Sequence, residues 1–137
     1  MRFILIVMLI MFASVVTAGN CCEDYDKDCC VKLTEKWQDY RDARTVAKTN
    51  DSVEDYVKAA LIAIELERED IASWQYNNAG YSLIKKYAAQ SKEEKDNGLL
   101  EEAKDLLIKA QQLDDGTVIK RKEAISSNFG YIDEHLK

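Results

Sequence analysis

Apolar residues recur every three or four positions along most of the chain, a spacing that predicts amphipathic helices. Five helical segments follow from it, at about 31–48, 53–67, 70–87, 99–113 and from 117 to the C-terminus. The polar stretch 91–98 predicts a projecting last turn of the third segment and a solvated loop, and the short connections elsewhere favour antiparallel neighbours. We therefore expect an all-α domain of stacked antiparallel helix hairpins.

Local signals refine two of these segments. Ser52 can cap the second segment, with Asp55 three residues later, and Thr117 can cap the fifth. The second segment is apolar nearly all round, which is typical of a helix sandwiched between others. The fifth segment has an apolar face made of Val118, Ile125, Phe129, Ile132 and Leu136.

The fourth segment has the most informative spacing. Ala103 and Ala110 lie seven positions apart on one helix face, where two backbones can approach closely. Leu100, Leu107 and Leu113 lie beside these alanines. Small and large residues in this order indicate one helix of a stacked pair.

Two stretches of the chain resemble the tetratricopeptide repeat, whose pattern over about 34 residues is W-x2-L-G-x2-Y, then A-x3-F-x2-A, then a proline. Residues 76–80, with Leu83 after them, resemble the first half and place Gly80 where helix packing needs a small residue. The second half of the pattern is matched by Gly98, Leu100, Ala103, Leu107, Ala110 and Leu113-Asp114-Asp115, with Asp115 where the proline would stand. The resemblance covers about 71–117, with a long insertion, and implies one clear repeat, a degenerate repeat before it and a terminal cap helix. An ordinary five-helix bundle is the alternative.

Members of that family bind peptides or partner surfaces in a groove lined by the first helix of each repeat. The resemblance places these residues on such a groove: Asn77, Asn78, Tyr81 and Lys85, with Arg41, Asp42 and Thr45 as equivalents in the degenerate repeat. An asparagine side chain can both donate to and accept from a peptide backbone. The implied function is a non-enzymatic module that binds a peptide or protein surface. Ordinary solvated helix residues are the alternative for the two asparagines.

The first eighteen residues predict an export signal. Arg2 precedes an unbroken apolar run from Phe3 to Phe12, and Val16-Thr17-Ala18 fits the small-residue rule for cleavage after Ala18. An uncleaved membrane anchor is the alternative, but the run is short for a span of about 20 apolar residues. Removal of residues 1–18 would leave a secreted or periplasmic chain of 119 residues without a membrane anchor.

All four cysteines fall within residues 19–30, which predicts a short disulfide-tied segment before a helical domain at 31–137. Neighbouring cysteines rarely bridge each other. The pairs are therefore Cys21–Cys30 with Cys22–Cys29, or Cys21–Cys29 with Cys22–Cys30. The acidic loop between them supports an alternative function, a small secreted structural or effector protein that acts through this loop.

The same loop resembles a calcium-binding loop in its oxygen-ligand spacing, through Asp24, Asp26, Asp28 and Glu35. Cys29 stands where such a loop needs glycine for its sharp turn, which favours an acidic spacer instead. Adjacent cysteine pairs also suit a tetrahedral zinc site poorly. We therefore expect no metal or other cofactor.

The net charge and the single histidine argue against nucleic-acid binding, lipid binding and catalysis. Loss of Arg2 leaves 18 basic against 25 acidic side chains, a net charge of −7 that repels nucleic acid and anionic lipid. His135 lies near the C-terminus, where a catalytic group would be poorly held, so we expect no enzyme.

A short array of this kind can form a homodimer through an uncovered terminal helix. Asn50-Asp51-Ser52 is an acceptor sequence for N-glycosylation in a eukaryotic source.

Overall fold

Five α-helices and one 3-10 helix form the part of the chain that this computed structural model describes, residues 27–136, with side chains from Cys30 onward. They are α1 (Lys27–Asn50), α2 (Val53–Glu65), α3 (Glu69–Ala89), the 3-10 helix (Lys92–Glu94), α4 (Asn97–Gln112) and α5 (Ile119–His135). Each α-helix contacts the next one along the chain, and α5 also contacts α3. Residues 27–136 contain no strand, so the expected all-α class is confirmed.

A two-residue turn joins α1 to α2 and is fixed against α3. Asp51 has a left-handed backbone with φ 50°, which Asp tolerates better than most residues. Ser52 caps α2 as predicted, because its hydroxyl oxygen accepts the backbone N–H of Asp55 at 3.2 Å. From α3, Ser82 Oγ donates to the Asp51 carbonyl at 2.8 Å and Lys85 Nζ lies 2.6 Å from Asp51 Oδ2.

Helix α3 packs against α2, α4 and α5, and small residues make this possible. A β-carbon placed on Gly80 would lie 3.1 Å from Leu107 Cδ2 and 3.2 Å from the Ala103 carbonyl oxygen. Ala103 and Leu107 are themselves fully buried. Ser73 Oγ also donates to the Ala110 carbonyl at 2.7 Å. The backbones of α3 and α4 therefore approach closely along the faces that carry these small residues.

Two helices begin earlier than the apolar spacing indicates. Helix α1 starts at Lys27 and not at Val31, so Cys29 and Cys30 belong to this helix. Helix α4 starts at Asn97 and not at Leu99, because the Asp96 carboxylate accepts the N–H of Gly98 at 2.9 Å and caps the helix. The predictions placed both helix starts at apolar residues. The actual helices begin with polar residues, which apolar spacing does not detect.

Thr117 does not cap α5, contrary to the prediction. Its N–H and its hydroxyl both donate to Asp115 Oδ1, at 3.0 Å and 2.8 Å, and Val118 occupies the cap position without a side-chain hydrogen bond. The same two hydrogen bonds lower the pKa of the Asp115 carboxyl. Thr117 therefore stabilises the turn before α5 and not the first turn of the helix.

Helix α2 is covered on two sides but not all round. It packs against α1 and α3, and it buries Val53, Tyr56, Ala59, Ala60 and Ala63. Leu61 is 50% exposed and Ile64 is 39% exposed. The side of α2 that carries Leu61 and Ile64 is therefore not covered by any helix in residues 27–136. The expectation that α2 is sandwiched all round is wrong for this side.

Helix α5 is held by a buried arginine. Arg121 is 1% exposed, and its Nε lies 2.6 Å from Asp114 Oδ1 while its other nitrogens reach Asp115 and the Asp70 carbonyl. Burial of a charge is tolerated because these partners satisfy it. The guanidinium group thereby joins the start of α5 to the end of α4 and to the start of α3.

We expect Gly80→Ala to lower the free energy of unfolding by about 1 kcal/mol, because the added methyl group is compressed against Leu107 and the backbone of Ala103. The matched control is Gly130→Ala, since Gly130 also lies inside a helix but has no atom within 4 Å of an added β-carbon. This control is expected to gain about 0.5 to 1 kcal/mol from helix propensity. Urea unfolding measures both, and equal shifts in the same direction would contradict the close approach of α3 and α4.

Candidate functional site

A groove of about 590 Å³ lies between α1 and α3. We call it the α1–α3 groove and define it by its lining residues: Tyr40, Arg44 and Lys48 from α1, Tyr56 from α2, and Ile71, Trp74, Gln75 and Asn78 from α3. Both α1 and α3 pack on α2, which holds them side by side. The lining combines two cations with aromatic rings and amides, and it contains no acidic residue.

The α1 wall of this groove is cationic. Arg44 and Lys48 are exposed and lie one helical turn apart. Neither forms an ion pair with any residue in the described range 30–136. Burial raises the pKa of the Tyr40 and Tyr56 hydroxyls, and the nearby charge of Arg44 opposes the rise for both. The groove therefore has a positive charge that no neighbouring carboxylate of α1 or α3 neutralises directly.

The α3 wall is aromatic and polar. Trp74 and Asn78 are half-buried and lie one turn apart along α3. Helical spacing continues this stripe through Tyr81, which is 48% exposed, to Lys85. Lys85 is already engaged, because its Nζ pairs with Asp51 and also lies 5.1 Å from the centre of the Tyr81 ring. The wall therefore offers a flat ring and a free amide to a ligand.

Gln75 and Tyr40 join the two walls. Gln75 is 3% exposed, and its Nε2 donates to the Tyr40 hydroxyl oxygen at 3.0 Å. Gln75 Oε1 is buried and has no hydrogen-bond partner. A buried acceptor without a partner costs about 1 to 3 kcal/mol. The groove thus contains a hydrogen-bonding position that the folded chain leaves unused.

The residues predicted for a groove separate in the structure. Asn78 lines the α1–α3 groove, and Tyr81 and Lys85 continue its α3 wall. Asn77 does not face this groove, because it is 4% exposed and its Oδ1 accepts from Asn128 Nδ2 of α5 at 2.9 Å. The position next to Asn78 is turned by about 100° around the helix axis, which takes Asn77 beneath α5.

The predicted residues of α1 are displaced from the groove in the same way. Arg41 is exposed, and its guanidinium donates to Gln38 Oε1 at 2.8 Å. Asp42 accepts from Gln38 Nε2 at 2.8 Å, so both residues belong to a network on the outer surface of α1. Thr45 donates to the Arg41 carbonyl at 2.8 Å and lines a smaller cavity of about 290 Å³ beside Arg44 and Lys48.

The sequence interpretation missed both unpaired cations of the groove. Arg44 and Lys48 lie next to the buried stripe of Tyr40, Ala43 and Ala47. That stripe marks the side of α1 that packs inward, so charged residues at its edge are the ones that border the interhelix space. The repeat register placed the equivalent positions three residues earlier, on the solvent side.

The described backbone does not form the calcium loop considered above. Residues 27–50 are continuous helix, although the loop would need a sharp turn at Cys29. Glu35 is an exposed residue of this helix. Residues 30–136 contain no group of three His, Cys, Asp or Glu side chains placed to hold a metal. Asp24, Asp26, Cys21 and Cys22 lie outside the described residues, as do the side chains of Asp28 and Cys29 and the predicted export signal.

A second cavity of about 690 Å³ lies between α4 and α5. Its lining mixes Lys104 and Lys122 with Asp114, Asp115 and Asp133. Two of these carboxylates are already bound by Arg121. The larger cavity therefore has neither a uniform charge nor an unused buried hydrogen-bonding group, and the α1–α3 groove is the stronger candidate.

The chain has no match among known protein families, curated proteins or solved structures. Within residues 27–136, none of the helices combines the length and the apolar character that a bilayer span requires. The functional argument therefore rests on the geometry and chemistry of the groove itself.

We expect a double-mutant cycle at Tyr40 and Gln75 to show coupling of about 1 kcal/mol in the free energy of unfolding. Tyr40→Phe alone leaves both polar atoms of the buried Gln75 amide without partners, so it should destabilise by about 1 to 2 kcal/mol. In the Gln75→Met background the same change should cost little, because the amide is absent. Denaturant unfolding of the four chains measures the cycle, and additive effects would show that the hydrogen bond across the groove does not form.

Proposed function

We propose that this chain is a non-enzymatic interaction module that binds an extended peptide or a partner protein segment in the α1–α3 groove. The unused hydrogen-bonding capacity of the groove carries this proposal. Gln75 Oε1 is buried without a hydrogen-bond partner, and neither Arg44 nor Lys48 is ion-paired within residues 30–136. An extended segment can supply backbone N–H groups and side-chain charges to these groups. Polar groups that only stabilise a fold normally have partners within it.

The proposed architecture is a short tetratricopeptide-like array of α1–α2 and α3–α4 hairpins, with α5 as its cap. The close packing at Gly80 and the burial of Ala103 and Ala110 support it. So does the placement of the groove between the first helices of the two hairpins. The export signal predicted in residues 1–18 makes the proposed location secreted or periplasmic.

We expect a selection from a random-peptide library to yield ligands that Trp74→Ala weakens by at least about tenfold. Trp74 presents its ring to the groove, and loss of a well-packed aromatic contact in an interface commonly costs more than 1 kcal/mol. The matched control is Phe129→Ala, which truncates an aromatic residue of the α4–α5 cavity and should change affinity by less than about twofold. Fluorescence anisotropy with labelled peptides measures the three affinities.

A second groove variant distinguishes loss of binding from misfolding of Trp74→Ala. Asn78→Ala removes an amide from the groove lining without removing a large side chain, and it should weaken the same ligands. If the library yields no ligand, the proposal fails. It fails equally if the selected ligands are lost with Phe129→Ala and retained with both groove variants.

A further inference from the structure

We propose that the α1–α3 groove selects an extended segment in which two acidic residues flank an apolar one. This inference rests on the function proposed above and adds the chemical class of the ligand. It is derived from the separation of charge and apolar surface on the two walls of the groove.

The charge of the groove differs in sign from the charge of the whole chain. The protein carries a formal net charge of −6, yet the groove lining has Arg44 and Lys48 and no acidic residue. Extended polyanions such as nucleic acids meet repulsion from the rest of the surface. A short acidic motif can still reach the two cations, because the Debye length at physiological ionic strength is only about 8 Å.

The spacing of the two cations fits an extended ligand. Arg44 and Lys48 lie four residues apart on α1, a rise of about 6 Å along the helix axis. Residues two positions apart in an extended strand are separated by about 6.6 Å and point to the same side. Two acidic side chains at positions i and i+2 of a ligand that runs along α1 can therefore meet the two cations together.

The opposite wall explains why the middle residue is apolar. In an extended ligand, the residue between the two acidic ones points away from α1 and toward α3. There it meets Trp74 and Ile71, which are half-buried and contribute apolar surface to the groove. Gln75 lines the groove beside them, and its buried Oε1 has no hydrogen-bond partner in the folded chain.

The experiment compares acetylated and amidated nine-residue peptides that carry a central Glu-Leu-Glu, Gln-Leu-Gln or Glu-Glu-Leu. We expect the full chain to bind Glu-Leu-Glu at least about tenfold more tightly than the other two. Gln-Leu-Gln has no charge to place on α1, and Glu-Glu-Leu does not place both charges on α1 with leucine on α3. The preference should shrink when the salt concentration rises from about 0.05 M to about 0.5 M. A fourth peptide with a free C-terminal carboxylate and no Glu shows whether a terminal carboxylate can replace the acidic side chains.

Paired charge variants assign the effect to the groove. Arg44→Gln with Lys48→Gln should weaken Glu-Leu-Glu by about tenfold or more. Lys32→Gln with Lys58→Gln removes the same net charge from exposed positions outside the groove, and it should change the affinity by less than about twofold. Circular dichroism and thermal unfolding check that both double variants keep the fold.

The outcomes separate this inference from the function on which it rests. Equal binding of the three amidated peptides, with loss of binding in Trp74→Ala, would overturn the acidic preference and leave a peptide-binding groove. Preference for the free C-terminal carboxylate over Glu-Leu-Glu would overturn the alternating motif. Absence of groove-dependent binding by any peptide would overturn both proposals.

Discussion

The close approach of α3 and α4 at Gly80 is the contact on which the rest of this structure depends. A side chain at this position would meet Leu107 and the backbone of Ala103, so glycine allows α3 to lie deep between its neighbours. Three other helices then pack on α3 and bury its small residues. The van der Waals attraction between these helices requires close-packed atoms. A gap of about 0.5 to 1 Å already removes a quarter to a half of that attraction.

The position of α3 in turn decides what the groove can offer. Because α2, α4 and α5 cover the other sides of α3, the side that carries Ile71, Trp74, Gln75 and Asn78 faces α1 across the groove. The hydrogen bond between Gln75 and Tyr40 then joins the walls without closing the space between them. Most buried polar atoms of a folded protein find partners. The buried, unpaired Gln75 oxygen is an exception, and Gln75 lines the α1–α3 groove.

Local pattern was sufficient for the helices and for the close packing, but not for the orientation of individual polar residues. The seven-residue spacing of Ala103 and Ala110 predicted a buried small-residue face, because helical periodicity depends only on neighbouring positions. The burial of Asn77 could not be predicted in the same way, since its partner Asn128 lies 51 positions away on α5. Arg121 is a similar case, because its role depends on the meeting of three helix ends.

The groove shows the same limit. Asn78 was predicted because the α3 register follows from Gly80, whereas Arg44 and Lys48 were missed because α1 has no glycine to set its register. An assignment by repeat position alone then selected Arg41, whose guanidinium is bound to Gln38. Only the packing of α1 against α2 determines which charged residues of α1 border the space between the hairpins.

Proton–proton nuclear Overhauser effects on the isotopically labelled chain test the central claim most directly. The account predicts strong cross-peaks between the α-protons of Gly80 and the methyl groups of Leu107, because Gly80 has no side chain to hold Leu107 away from its backbone. Absence of these cross-peaks, with clear ones from the Leu107 methyl groups to other residues, would show that α3 and α4 do not meet at Gly80 and would contradict the account.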